Sequence, residues 1–410
     1  MISPDTTILY FGNDWFAENR TSSHHVAREL ARRQRVVYIE CPGLRAPKSS
    51  KRDVKKLLAK LWRFIRGATT TDGQITVLTL PQIPFRRFGF VRALNHTISR
   101  CALKLFMFRN AIQRPITWFV VPHPGHLCGT LGEKLAVYYC IDDYAALPDV
   151  DATSVQQMDD DLTRRADLVF VASETLLERK TALNAATFHS PHGVDVEHFS
   201  AASRAELPIP LEIASLTKPV VGFFGLIENW IDLNLVAHLA LARPQYSFVM
   251  IGRVAVPEQS LPRLANLHFL GRRPYNSLPE YGRGFDCCLI PYKLTRQVLH
   301  ANPLKLREYL AMGKPVLTVR TPEIGRFADV VTIAHTPEEF LEKLDCILAT
   351  ENSAAECERR MARVAPMSWE SRVDAVRRKV EQFGSDDPEN QRSQVGQSHG
   401  TQRTVTLSGE

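Results

Sequence analysis

What most restricts this chain is an alternation of short apolar runs with stretches of helical period, played through twice. Residues 7–12 are apolar and end in Gly12, residues 24–33 carry a helical pattern with Ser22 or Ser23 as its cap, and residues 36–40 are apolar again. Further apolar runs follow at residues 75–80, 117–121, 135–141 and 166–173. After a stretch marked by Pro208, Pro210 and Pro219 the alternation restarts at residues 220–225 and continues through 246–251, 267–270, 287–290 and 316–319. Runs of this length between helices make parallel strands of βα units, and 410 residues exceed one ordinary core. The expected fold is therefore α/β, with two Rossmann-like domains facing each other across a cleft. Residues 1–205 form the first and 206–369 the second; a helix at about 370–384 packs back on the first, and a Ser-, Gln- and Gly-rich tail over 385–410 is disordered. The opening βαβ unit lacks the G-x-G-x-x-G dinucleotide fingerprint.

Composition narrows the setting. The eight cysteines are scattered without a C-x-x-C pair, which speaks against a zinc ligand set or a disulfide framework and for a reducing compartment. The N-terminus has no basic segment leading into an apolar one, and no apolar run is long enough to span a bilayer, so the chain is expected in the cytoplasm. The net charge of +7 is unevenly placed. Residues 45–66 hold nine Lys or Arg and one acid, and residues 85–114 hold seven and none. Leu57, Leu58, Leu61, Trp62 and Ile65 recur at helical spacing among Lys51, Lys55, Lys56, Lys60 and Arg63. This pattern suits an anionic membrane surface at the inner face of the cell membrane, or a solvated basic face over the chain's own core. Nucleic acid competes for such a patch in principle, but no nucleic-acid partner is expected.

The segment 300–319 reads as a compact device. Asn302 is a suitable helix cap, Pro303 suits the first helical position, Gly313 stops the helix, and residues 316–319 form a strand. Leu304 faces the preceding loop, whereas Lys305 and Glu308 share a side. Free N–H groups and Lys305 suit a diphosphate, and Glu308 suits a ribose diol; alternatively the two residues are a plain ion pair. In open parallel sheets ligands sit beyond the carboxyl ends of strands, which makes His123, His126, Asp142 and Asp143 candidates. Adjacent aspartates point apart and the histidines are not at a helical spacing of four, so no metal site is expected.

Several short patterns fall in one order along the chain: Ser190, His192, Gly193 and Asp195 with Phe199; residues 222–225 before a loop and helix; residues 269–271; residues 286–291; Pro303 to Glu308 with Gly313; and Ser368, Trp369 and Glu370. In that order and spacing the chain resembles the GT-B glycosyltransferases of the glycosyl transferases group 1 (family 4) type, and among them the teichuronic acid glycosyltransferases. The resemblance covers residues 7–384. It implies a nucleoside diphosphate sugar donor in the second half, beyond Gly225, and a glycan or lipid-linked acceptor in the first, with no further cofactor.

By the same resemblance Glu308 is the second glutamate of the family's Glu-x7-Glu motif, which holds the ribose, and the first falls on His300. The loop at residues 226–232 lacks the Arg and Lys with which relatives neutralise the diphosphate. Lys305 and Arg253 are the candidates to replace them, with Arg272 or Arg273 nearer the base, and Asn302 and Leu304 flank the site. Asp142 stands at the family's catalytic histidine, with Asp143, His123 and His24 behind it. Two rival readings share these residues: an epimerase or polymer phosphotransferase on the same fold, and a non-catalytic binder at a membrane surface.

Overall fold

The computed structural model describes residues 6–16, 20–41, 67–71, 75–80, 89–350 and 352–385. The basic segment 45–66, residues 85–88 and almost all of the expected tail lie outside these.

Among the described residues the first half holds eight strands: β1 (Ile8–Gly12), β2 (Val36–Glu40), β3 (Thr69–Thr71), β4 (Ile75–Thr79), β5 (Ile116–Phe119), β6 (Leu135–Cys140), β7 (Leu168–Val171) and β8 (Thr187–His189). Their order is β3-β4-β2-β1-β5-β6-β7-β8, parallel except where β3 runs against β4. The second half holds β9 (Val220–Phe224), β10 (Ser247–Ile251), β11 (Leu267–Gly271), β12 (Cys287–Ile290), β13 (Val316–Thr318) and β14 (Thr332–Ile333). Here the order is β11-β10-β9-β12-β13-β14, all parallel. Every residue of β1, β2, β5, β6, β9, β10 and β12 is buried, which explains their unbroken apolar runs: helices cover both faces of a parallel sheet. Each order reverses next to its first strand, at β1/β5 and at β9/β12, and a crevice opens beyond the carboxyl ends at such a reversal. This is the doubly wound α/β architecture that the alternation predicts. The strands that the apolar pattern passes over are β3, β8 and β14, which are only two or three residues long.

The last helix, Trp369–Ser385, lays Trp369, Val373, Val376 and Val380 against Ile8, Tyr10, Val36 and Trp118 of the first half. The chain thus crosses between the halves twice, and the crossings touch. Val194 N donates to Met367 O at 3.0 Å, and Trp369 N donates to Val194 O at 3.3 Å. Among the described residues no helix is long and apolar enough to cross a membrane.

Backbone closeness at the carboxyl ends of β9 and β10 leaves room for glycine alone. Gly252 has φ +146°, and a Cβ there would lie 1.7 Å from Gly225 O. Gly252→Ala should therefore lower the unfolding free energy by about 3 kcal/mol or more, read by chemical denaturation. A change within 0.5 kcal/mol, roughly the scatter of neutral surface substitutions, would show that the two loops part without cost.

Candidate active site

The helix Leu304–Ala311 is held under β9 by its buried residues Leu306, Tyr309 and Leu310. The Tyr309 hydroxyl accepts from Phe224 N at 2.9 Å and donates to Phe224 O at 3.3 Å. With that face fixed, Lys305 and Glu308 lie beside the end of β9. Lys305 Nζ is 2.7 Å from Glu308 Oε2 and 5.1 Å from the centre of the Phe224 ring. A side chain at Gly225 would come within 3.1 Å of Lys305 Cε, so the glycine leaves this space open. The two residues do form an ion pair, but Glu308 is only 6% exposed and the pair is no ordinary surface contact.

Asn302 does not cap the helix. Pro303 occupies the cap position with no side-chain bond, and Asn302 is buried, accepting from His192 N at 3.3 Å and donating to Glu323 Oε2 at 2.7 Å. Its amide is worth more in that buried contact than at an exposed helix start. Leu304 packs against the first half's core instead of facing a loop. Arg307 is almost fully buried over Phe327, and burial pushes its guanidinium down to about 10.

Across the cleft, at the end of β6, Asp143 is fully buried and is the meeting point of the halves. Arg179 of the first half donates to it at 3.4 Å, and from the second half Arg296 Nε donates at 3.2 Å and His300 Nδ1 lies 2.7 Å away. Burial alone would raise this carboxyl, but the His300 hydrogen bond and the charges of Arg179 and Arg296 outweigh it and hold it below the usual carboxylate range. A glutamate at position 300 would set two carboxylates together here. His300→Glu should therefore lower the melting temperature, and His300→Gln, which keeps a donor, should lower it less.

Asp142 is half-buried, and its Oδ1 takes the Asp143 N–H at 2.9 Å. Burial pushes its carboxyl up to about 7; the bond from Asp143 N opposes this and the Asp143 charge adds to it. At neutral pH the group therefore stands between its acid and base forms.

The remaining candidates divide. His24 is buried, pushed down to about 4 by burial, and engaged with Thr21 and Asp14 O at the start of helix Ser22–Ala31, where it completes the capping box with Thr21. His123 opens a 3-10 turn after β5, and His126 of that turn stacks on His96 with centroids 3.6 Å apart. Arg253 follows β10, and its carbonyl accepts from Ile227 N at 3.0 Å. Arg272 is exposed after β11, while Arg273 is bound to Glu212 and Tyr281. The loop 226–232 is tied down, with Asp232 capping helix Leu233–Ala242. Among the described residues no three His, Cys, Asp or Glu converge as a metal site.

Several residues of the cleft had no signature in the sequence. His25 stacks on Trp369 at 5.0 Å and tilts toward Tyr275, and Arg20 lies 4.7 Å over the Tyr275 ring. Glu323 accepts from Glu174 N at 3.1 Å as well as from Asn302, and Arg326 pairs with the Glu174 side chain. These contacts join residues far apart in the chain, and no local spacing announces them.

Known structures share this fold. Sucrose-phosphate synthase from Thermosynechococcus elongatus superposes with a TM-score of 0.68 at 15% identity, covering 92% of this chain and 99% of the other. Anabaena HepE, solved with UDP and glucose, superposes with a TM-score of 0.63 at 15% identity over 91% and 99%. The chain has the GT-B glycosyltransferase fold. In its second half, residues 218–350 match the family described as Glycosyl transferases group 1. The putative teichuronic acid biosynthesis glycosyltransferase TuaH of Bacillus subtilis (strain 168) is 27% identical over an alignment of 230 residues that covers 52% of this chain. That match spans 57% of the relative's own length.

Asp142 sets a pH dependence whose sign is fixed. Its carboxyl is near 3.8 ordinarily and about 7 in the fold, so folding favours the neutral form, and the stability this contributes is lost as pH rises from about 4 through about 7. Compared with Asp142→Asn, which does not titrate, the natural chain should lose melting temperature between pH 4 and pH 8, and parallel curves would remove the shift.

Proposed function

We propose that this chain is a glycosyltransferase that moves a sugar from a nucleoside diphosphate sugar to a hydroxyl of a glycan or lipid-linked acceptor in cell-surface polysaccharide or glycolipid synthesis. The observation that carries the reading is the buried Glu308 with Lys305 beside it, under the open end of β9 left by Gly225. Glu308 suits the ribose diol, and the Lys305 ammonium suits the diphosphate once the nucleotide draws it from its partner. Gly225, Arg253 and Arg272 follow β9, β10 and β11 on what would be the donor side, and Asn302 braces the start of the helix through Glu323. The GT-B fold and the match over residues 218–350 support the same assignment. The acceptor belongs to the first half.

In the proposed reaction an acceptor hydroxyl oxygen bonds to the anomeric carbon. The bond from that carbon to the β-phosphate oxygen breaks, and the nucleoside diphosphate leaves with the electron pair. The hydroxyl proton passes to the ionised Asp142 carboxylate, whose position near neutrality fits a group that must take and return a proton. Asp143 carries its own charge into buried bonds and so holds His300 in place; His123 opens the turn after β5, the strand paired with β6. Lys305 takes the part that the loop 226–232 cannot, since stabilising the leaving group is where much of the rate arises when no metal assists.

The test is a panel of UDP-, GDP- and dTDP-sugars, with thermal stabilisation and release of nucleoside diphosphate as readouts. Stabilisation with release supports the transferase, and stabilisation without release favours the non-catalytic binder. No stabilisation by any nucleotide overturns the donor site. Within that panel Glu308→Gln should weaken nucleotide binding about tenfold or more, roughly the value of one charge-assisted hydrogen bond. Arg307→Gln should instead lower the melting temperature, because Arg307 is buried over the Phe327 ring. Equal losses of affinity in the two variants would make the helix structural only.

A further inference from the structure

One long surface of the first half is left unexplained by a nucleotide-sugar site. Helix Gly89–Arg109 turns Val91, Asn95, Ser99, Leu103 and Met107 inward, where all are buried. Its opposite side carries Leu94, Ile98, Cys101, Leu105 and Phe108, spaced alternately four and three residues apart, which is the period of a single helical stripe. Among the described residues that stripe stays open at every position but the half-buried Ile98. Leu94 is 47% exposed, Leu105 50% and Phe108 85%, and Cys101 is exposed as well. Single exposed apolar residues are ordinary, but an aligned row on one helix marks a surface that meets something apolar.

The charges beside the stripe identify what it meets. Exposed Arg100, Lys104 and Arg109 lie on the same helix, and the helix contains no acid at all. An apolar ridge with bases at its sides fits the boundary between acyl chains and anionic headgroups, where leucine and phenylalanine enter the hydrocarbon and the bases stay with the phosphates. Nucleic acid would satisfy the bases but leave Leu94, Leu105 and Phe108 against charged phosphates. A second copy of the chain would bring the same positive flanks together. We propose that the outer face of helix Gly89–Arg109 docks this protein on a bilayer containing anionic lipid.

The experiment is co-sedimentation of the full chain with vesicles of phosphatidylcholine alone and of phosphatidylcholine mixed with phosphatidylglycerol. The natural chain should pellet with the mixed vesicles and lose that binding as salt is raised. The double variant Leu105→Glu with Phe108→Glu should pellet about tenfold less. Both positions are solvent-facing, so its melting temperature should stay with that of the natural chain, which keeps a loss of binding interpretable. Arg100→Gln with Lys104→Gln, which leaves the apolar row intact, should weaken binding to the mixed vesicles and shrink its salt dependence. Undiminished pelleting of the Leu105/Phe108 variant overturns the proposal, as does failure of the natural chain to pellet. Capture of a DNA duplex without vesicle binding, or a dimer in sedimentation velocity that the Leu105/Phe108 variant abolishes without vesicle binding, also overturns it. The outcome does not depend on the transferase reading, because nucleotide-induced stabilisation is measured separately.

Discussion

The carboxylate of Asp143 is the point on which the two halves agree. A fully buried charge is tolerated only when its bonds are made, and three of its partners come from two different domains: Arg179 from one, Arg296 and His300 from the other. Behind it the network continues inward. Arg179 also reaches Asp159, which receives Lys180 at 2.8 Å and the Tyr138 hydroxyl, so the cleft contact is anchored in the core of the first sheet. Such a clasp contributes little net stability, since desolvation offsets most of the attraction, but breaking it leaves charges stranded. Its value is geometric: the ends of β6 and of β12 are held at one separation and orientation.

That clasp also accounts for the residue at position 300, which must bond a buried aspartate from across the cleft. Histidine can donate where glutamate would repel. Among the described residues no cation pairs with the neighbouring Asp142, and burial moves it toward neutrality. Adjacent residues of one chemical type acquire opposite electrostatics because one points at three donors and the other does not.

Much of the fold was legible in the sequence because buried parallel strands are continuous apolar runs, and helices such as Glu174–Thr181 and Leu233–Ala242 carry their caps locally in Ser173 and Asp232. Strands β3, β8 and β14 were not legible; at two or three residues, pairing with a neighbour makes them strands and no pattern of their own does. At the candidate site, the grouping of Lys305 and Glu308 followed from their spacing, whereas Asn302 obeyed a tertiary contact over its capping preference. Arg179, Arg296 and Glu323 were invisible for the same reason: a buried long-range bond has no signature in the neighbouring residues.

The paired crossings at Val194 and Met367 have a mechanical consequence. Two segments that pass between the halves side by side, hydrogen-bonded to each other, act as one ribbon. Bending such a ribbon turns one half about a line through it, while sliding or pulling the halves apart would shear its bonds. Opening of the cleft is thus a rotation with one axis, and the distance travelled grows with distance from the ribbon. A cut ahead of Trp369 would do more than shorten the chain, for it would leave a single flexible thread in place of a hinge.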